Sequence, residues 1–133
     1  MIRNYENPEG TISLVDSTSV TVPVKVFTSS TTGGPISGGV TGRTNAVTTI
    51  ALCNTAAAST ADETTNAVTV NIYIVRSGKS YGAGNMVVSS LVVPAGETVF
   101  FSEERIVLDS GDEIWVGTDS ASKLAVTVSA LPV

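Results

Sequence analysis

The chain has 133 residues, enough for one domain that buries roughly two-thirds of the surface its unfolded form exposes, so neither disulfides nor a metal is needed to hold it together. It is 42% hydrophobic but only 5% aromatic and 14% charged, and its weight of Val, Thr, Ser, Gly and Ala favours strands. A net charge of -5 and a pI near 4.5 would repel a phosphate backbone, which excludes nucleic acid as a partner, and no stretch approaches the ~20 apolar residues of a membrane span.

The negative charge is unevenly placed. Up to Ser90, Arg3, Lys25, Arg43, Arg76 and Lys79 balance Glu6, Glu9, Asp16, Asp62 and Glu63, so the whole excess lies in the last third. Cys53 is the single cysteine and there is no histidine; with neither a disulfide partner nor a group to activate the thiol, it is expected to be a small core residue. The first ten residues lack the apolar h-region of a signal peptide, which predicts synthesis in a cytoplasm.

In chain order, residues 1–10 are polar, include Pro8 and Gly10, and have no periodicity. They read as an arm held by something it lies across, a neighbouring subunit being the first candidate. Ile12 and Leu14 alternate with hydroxyl residues, and Val20, Val22, Val24 and Val26 form a run of period two. Pro23 cannot donate to a ladder and predicts an edge strand or a solvent-facing position. Residues 29–44, SSTTGGPISGGVTGRT, have nothing to build a core with and read as one long loop, either bound to a partner or a flexible linker.

The body is expected from residue 46. Ile50 and Leu52 face one way and Thr49, Ala51 and Cys53 the other, the pattern of a central strand. A small polar loop at residues 55–67 leads to VTVNIYIV, where Val68, Val70, Ile72 and Ile74 make the inward face and Thr69, Asn71, Tyr73 and Val75 the outer one. RSGKSYGAGN, residues 76–85, ends like a phosphate-binding loop at Gly78, Lys79 and Ser80. Tyr73 stands where the leading glycine is required, so a hairpin loop is expected. MVVSSLVV puts Val87 and Leu91 on one side and closes at Pro94, Ala95 and Gly96; Val99 and Phe101 point inward before the charged stretch SEER. Ile106 to Leu108, a turn at residues 109–112, Ile114 and Val116 with Trp115 opposite, and Leu124, Val126 and Val128 complete the pattern.

These elements make about eight strands joined by connections too short for crossover helices. The expected fold is all-β: an antiparallel β-sandwich, jelly-roll or immunoglobulin-like, with an extended N-terminal arm. Residues 1–45 form the arm and its Gly/Ser/Thr-rich loop, and residues 46–133 the sandwich body.

Three constellations invite chemistry. Ser120 and Lys123 spell S-x-x-K, but the helix start and companion motifs of an acylating serine are missing, and a hairpin is expected. Asp109, Asp112 and Glu113 offer carboxylates to calcium, against the simpler reading of solvated turn formers, and no metal or other cofactor is expected. Trp115, with Tyr73 or Tyr81, makes either an aromatic platform for a sugar ring or a buried protein contact. With no catalytic residue to name, an enzyme is not expected.

The stretches TTIALCNTAA, VTVNIYIV, VVPAGETVFF, IVLDSGDEIWV and LAVTVSALPV resemble the small β-sandwich structural proteins of tailed bacteriophages over about two-thirds of the chain. The resemblance implies a virion part without chemistry: a capsid decoration (cement) protein that stabilises the head, or else a neck, tail or fiber-attachment component. A carbohydrate-binding sandwich is the alternative from another class. It also implies a homo-oligomer, taken as a trimer by analogy with such shells, in contact with the major capsid protein or with neck and tail proteins, in a virion assembled in a bacterial cytoplasm. The candidate subunit contacts are Ile2, Arg3, Tyr5, Ile12, Leu14, Val22, Val24 and Trp115.

Overall fold

The long apolar runs from Val24 onward become strands, and the strands build two facing sheets. The computed structural model describes residues 14–29, 44–62, 64–102 and 106–130 in full, and the backbone alone of residues 3–5, 37–38 and 131–132. The strands are β1 (Arg3–Tyr5), β2 (Val24–Ser29), β3 (Ser37–Gly38), β4 (Asn45–Asn54), β5 (Val68–Val75), β6 (Met86–Val93), β7 (Thr98–Phe101), β8 (Ile106–Leu108), β9 (Glu113–Thr118) and β10 (Leu124–Pro132). A 3-10 turn at Ala83–Asn85 precedes β6. No helix among the described residues is long and apolar enough to cross a membrane.

Sheet A has the order β1, β10, β4, β7, with β8 also on β4; sheet B has the order β3, β2, β9, β5, β6. β7 pairs with Ile50 to Cys53 and β8 with Asn45 to Val47, so together they act as one interrupted strand along the same edge of β4. Counted that way, the antiparallel ladders nest: β1 with β10, β2 with β9, β4 with β7 and β8, β5 with β6. A four-pair ribbon wound in this manner is a jelly roll, which decides between the two sandwiches expected. Among the described residues one ladder is parallel, the two-residue pairing of β3 with the end of β2.

The core lies between the sheets. Val26, Phe27, Ile50, Leu52, Val68, Val70, Ile72, Leu108, Ile114, Val116, Leu124 and Val128 are buried in one cluster, and each such side chain contributes about 1.5–3 kcal/mol. Polar groups tie the ends. Asn45 Nδ2 donates to Ser29 Oγ (2.9 Å), and Asn54 Nδ2 donates to the carbonyls of Asn66 and Val93 (2.9 Å each). Among the described residues no buried side-chain nitrogen or oxygen lacks a partner.

Four expectations change. The strand of the N-terminal region starts at Val24; residues 18–22 form a turn closed by Val22 N–H to the Ser19 carbonyl (3.0 Å), and Pro23 is buried just ahead of the ladder. A bulge between Lys25 and Phe27 then turns both Val26 and Phe27 inward. The residues from Leu14 to Ser29, placed with the arm, are therefore built into the sandwich: Val15 is fully buried and its backbone bonds to Leu124 and Ser122. Of the ten-residue arm, Arg3–Tyr5 pair with β10 of the same chain, and the rest lies outside the described residues.

The third difference is the outer face of β5. Asn71, Tyr73 and Val75 are buried, as Val68, Val70 and Ile72 are, while Ile74 is half-buried; the strap of residues 16–22 covers Asn71 and Tyr73. Tyr73 Oη donates to the Val20 carbonyl (2.8 Å), and Asn71 Nδ2 donates to the same oxygen (3.3 Å). The fourth is β6. Its register on β5 shifts twice, so Ser89 and Ser90 together oppose Asn71, whose Oδ1 accepts the Ser90 N–H (2.7 Å). The shifts leave Val87 exposed while Val88 and Leu91 pack on the core. Of the loop expected over residues 29–44, only Ser29, Ser37–Gly38 and Thr44 lie among the described residues.

Candidate binding surfaces

Two surfaces stand out, one on each sheet. On the outer face of sheet B, β9 sets Trp115 between Lys25 of β2 and Tyr73 of β5, which are its cross-strand partners. The loop after β5 folds back so that Tyr81 lies 5.2 Å from the Trp115 ring at 44° and 6.1 Å from Tyr73 in an edge-on contact. Glu113, two residues before Trp115 on the same face, accepts the indole N–H (3.3 Å) and pairs with Lys25 Nζ (3.0 Å). An aromatic pair thus sits beside a fixed donor and a fixed acceptor. Tyr73 is 2% exposed and contributes support only; the accessible rings are Trp115, half-buried, and Tyr81, 38% exposed.

The outer face of sheet A has the opposite character. β4, β7, β8 and β10 contain no Asp, Glu, Lys or Arg. Cross-strand rows run Ala125, Cys53, Thr98 and Thr127, Ala51, Phe100, with Ala46 beside Val107. Phe100 is 64% and Val107 54% exposed. Solvated faces of antiparallel sheets normally carry the charges that this one lacks. Cys53, expected in the core, is half-buried on this face, because the alternation that sends Leu52 inward sends Cys53 out.

Around the β7 and β8 edge the apolar surface continues. A slot of about 240 Å³ lined by Ile50, Ile72, Val87, Val88, Phe101 and Ile106 opens between β6 and these strands. A second groove of about 430 Å³ lies under the loop before β5, between Ala58, Ser59, Thr64 and Ala67 on one side and Val92, Pro94, Ala95 and Glu97 on the other. In that loop the Thr64 hydroxyl and amide hold the Asp62 carboxyl below its ordinary pKa, which fixes a turn.

The acidic turn does not form a cage. Asp112, 3% exposed, accepts the amides of Ser77 (3.0 Å) and Asp109 (3.1 Å). Arg76 lies 3.5 Å from both Asp112 and Asp109, and Glu113 is turned to Lys25. Asp112 is thus a buried anchor of its turn instead of the solvated turn former expected. Among the described residues no group of three or more His, Cys, Asp or Glu side chains is placed to hold a metal ion. Ser77 and Gly78, with Gly78 at φ 75°, form a turn closed by the Lys79 N–H to the Arg76 carbonyl (2.9 Å), and Ser120 to Lys123 lie in the β9–β10 connection.

Of the expected subunit contacts, four are described in full. Ile2 and Ile12 lie outside the described residues, and Arg3 and Tyr5 are described in backbone only. Leu14 is half-buried, Val22 is 59% exposed on the strap, and Val24 packs against the core. Trp115 belongs to the aromatic pair. Sequence reasoning missed Phe100 and Val107; the absence of charge from β4, β7, β8 and β10 was available, but β5 and β6 share it, so it did not single out one face. Neither known protein families nor curated proteins match the chain.

Proposed function

We propose that the chain is a structural protein of a tailed-phage virion, in first place a capsid-surface decoration protein and in second a neck or tail component. The observation that carries this reading is the uncharged outer face of sheet A, with Phe100 and Val107 exposed at its edge. Interface centres are depleted of charge and anchored by aromatic side chains; this face meets the first condition throughout and the second at Phe100. The resemblance of its strand and turn stretches to phage sandwich proteins points the same way. Each copy adds a modest area, and repetition over a shell turns many weak contacts into a firm one. Antibody raised against the purified protein, used on purified virions separated into heads and tails, tests the reading: many copies on heads are expected, and absence from both fractions would sink it.

The aromatic pair favours one other reading, a carbohydrate-binding sandwich. A sugar ring stacks its C–H face on an aromatic side chain while Lys25 and Glu113 supply a donor and an acceptor 3.0 Å apart. On an array of bacterial surface glycans, this reading expects a signal that Trp115→Ala removes without loss of fold. A blank array rejects it.

A further inference from the structure

We infer that two copies of the chain pack face to face through their A sheets, with Phe100 and Val107 as the anchors. The inference rests on the assembly reading above and names its first partner, a second copy.

Three observations select that occupant. First, the face is neutral on a chain of net charge -5. A two-fold contact sets like against like, so any face with a charge near its axis meets its own sign. β4, β7, β8 and β10 supply none.

Second, the area fits a weak association. The ten residues of β4 at about 3.3 Å each, and three strand positions about 4.8 Å apart (β10, β4, and β7 with β8), cover about 480 Å² per copy, or about 950 Å² for the pair, the size of weak and transient interfaces. Third, the relief is right for sheet-on-sheet packing. Ala46, Ala51, Ala125, Thr127 and Ser129 are short, so two faces can approach to about 10 Å, while Phe100 and Val107 rise at the β7 and β8 edge to fill the space over the partner's small residues. β6, the other candidate for self-pairing, is twice bulged on its ladder with β5, which discourages edge-to-edge addition.

A two-fold contact of this modest size should be reversible, so the full chain should pass from monomer to dimer as its concentration is raised in sedimentation velocity. Phe100→Lys and Val107→Lys, both at exposed positions that leave the core alone, should each raise Kd by about thirtyfold or more. Ala83→Lys, exposed in the 3-10 turn on the other sheet's side, makes the same change in net charge and should leave Kd unchanged. A chain that is monomeric at every concentration, or a dimer indifferent to both lysines, overturns the inference. Virions separate this from the broader reading. Wild-type monomers whose incorporation is lost with Phe100→Lys mean that the face meets a different virion protein, which rejects the second copy and keeps the virion role. A lysine-sensitive dimer absent from virions does the reverse.

Discussion

At Gly117 two backbones meet. The strap from Ser17 to Val22 crosses β9 there, and a Cβ on residue 117 would overlap the carbonyl oxygen of Val20 and come within 2.9 Å of its carbonyl carbon. That oxygen is the acceptor for both Tyr73 and Asn71. The strap has little freedom to yield, since Thr118 Oγ1 donates to the Ser17 carbonyl (2.8 Å) and the Thr118 N–H donates to Ser17 Oγ (3.1 Å). Gly117→Ala should therefore lower stability to urea by about 1–3 kcal/mol, the usual cost of forcing atoms into a packed site. Gly84→Ala is the control, because nothing lies within 4 Å of a Cβ there and its φ is not positive. Equal urea midpoints for the two variants would show that the strap moves aside freely.

At the scale of elements, strand existence was legible and strand faces were less so. β5, β9 and β10, and β4 from Thr49 onward, follow the alternation of their apolar residues, since regular pleating leaves the pattern no alternative once one face is buried, whereas a register shift at Thr48 breaks the start of β4. β2 and β6 depart from it because bulges add a residue that no period-two count anticipates. Ser90 at φ 56° marks one of those bulges, and a serine carries no sequence signal for it. The burial of Tyr73 and Asn71 was hidden for another reason: the strap residue that binds them, Val20, lies 53 and 51 residues earlier in the chain. The candidate surfaces divide the same way. Trp115 and Tyr81 could be singled out by residue type, whereas Phe100 gains its meaning only when β4 and β10 place uncharged rows beside it.

At the scale of the molecule, the nested order of the ribbon sets how the chain can fold. Only β5 and β6 are neighbours in sequence among the four pairs; β4 with β7 and β8, β2 with β9, and β1 with β10 enclose successively longer stretches. Loop-closure entropy rises slowly with each enclosure, but the outer pairs gain nothing until the inner ones hold their ends together. Refolding from urea is expected in milliseconds to seconds, as for other sandwiches dominated by distant pairings. The order also assigns roles to core residues. Ile72 of β5 lies in the innermost pair and is in register with Val88 and Val116, so Ile72→Val should slow folding for most of its loss of about 0.5–1.5 kcal/mol. Val128 of β10, in register with Ile50 and with Tyr5 of β1, belongs to the outermost pair. Val128→Ala should leave the folding rate nearly unchanged and speed unfolding instead. Stopped-flow chevrons of the two variants read this directly. Folding slowed by Val128→Ala and not by Ile72→Val would mean that the chain closes from its termini inward, and that β1, short as it is, acts early.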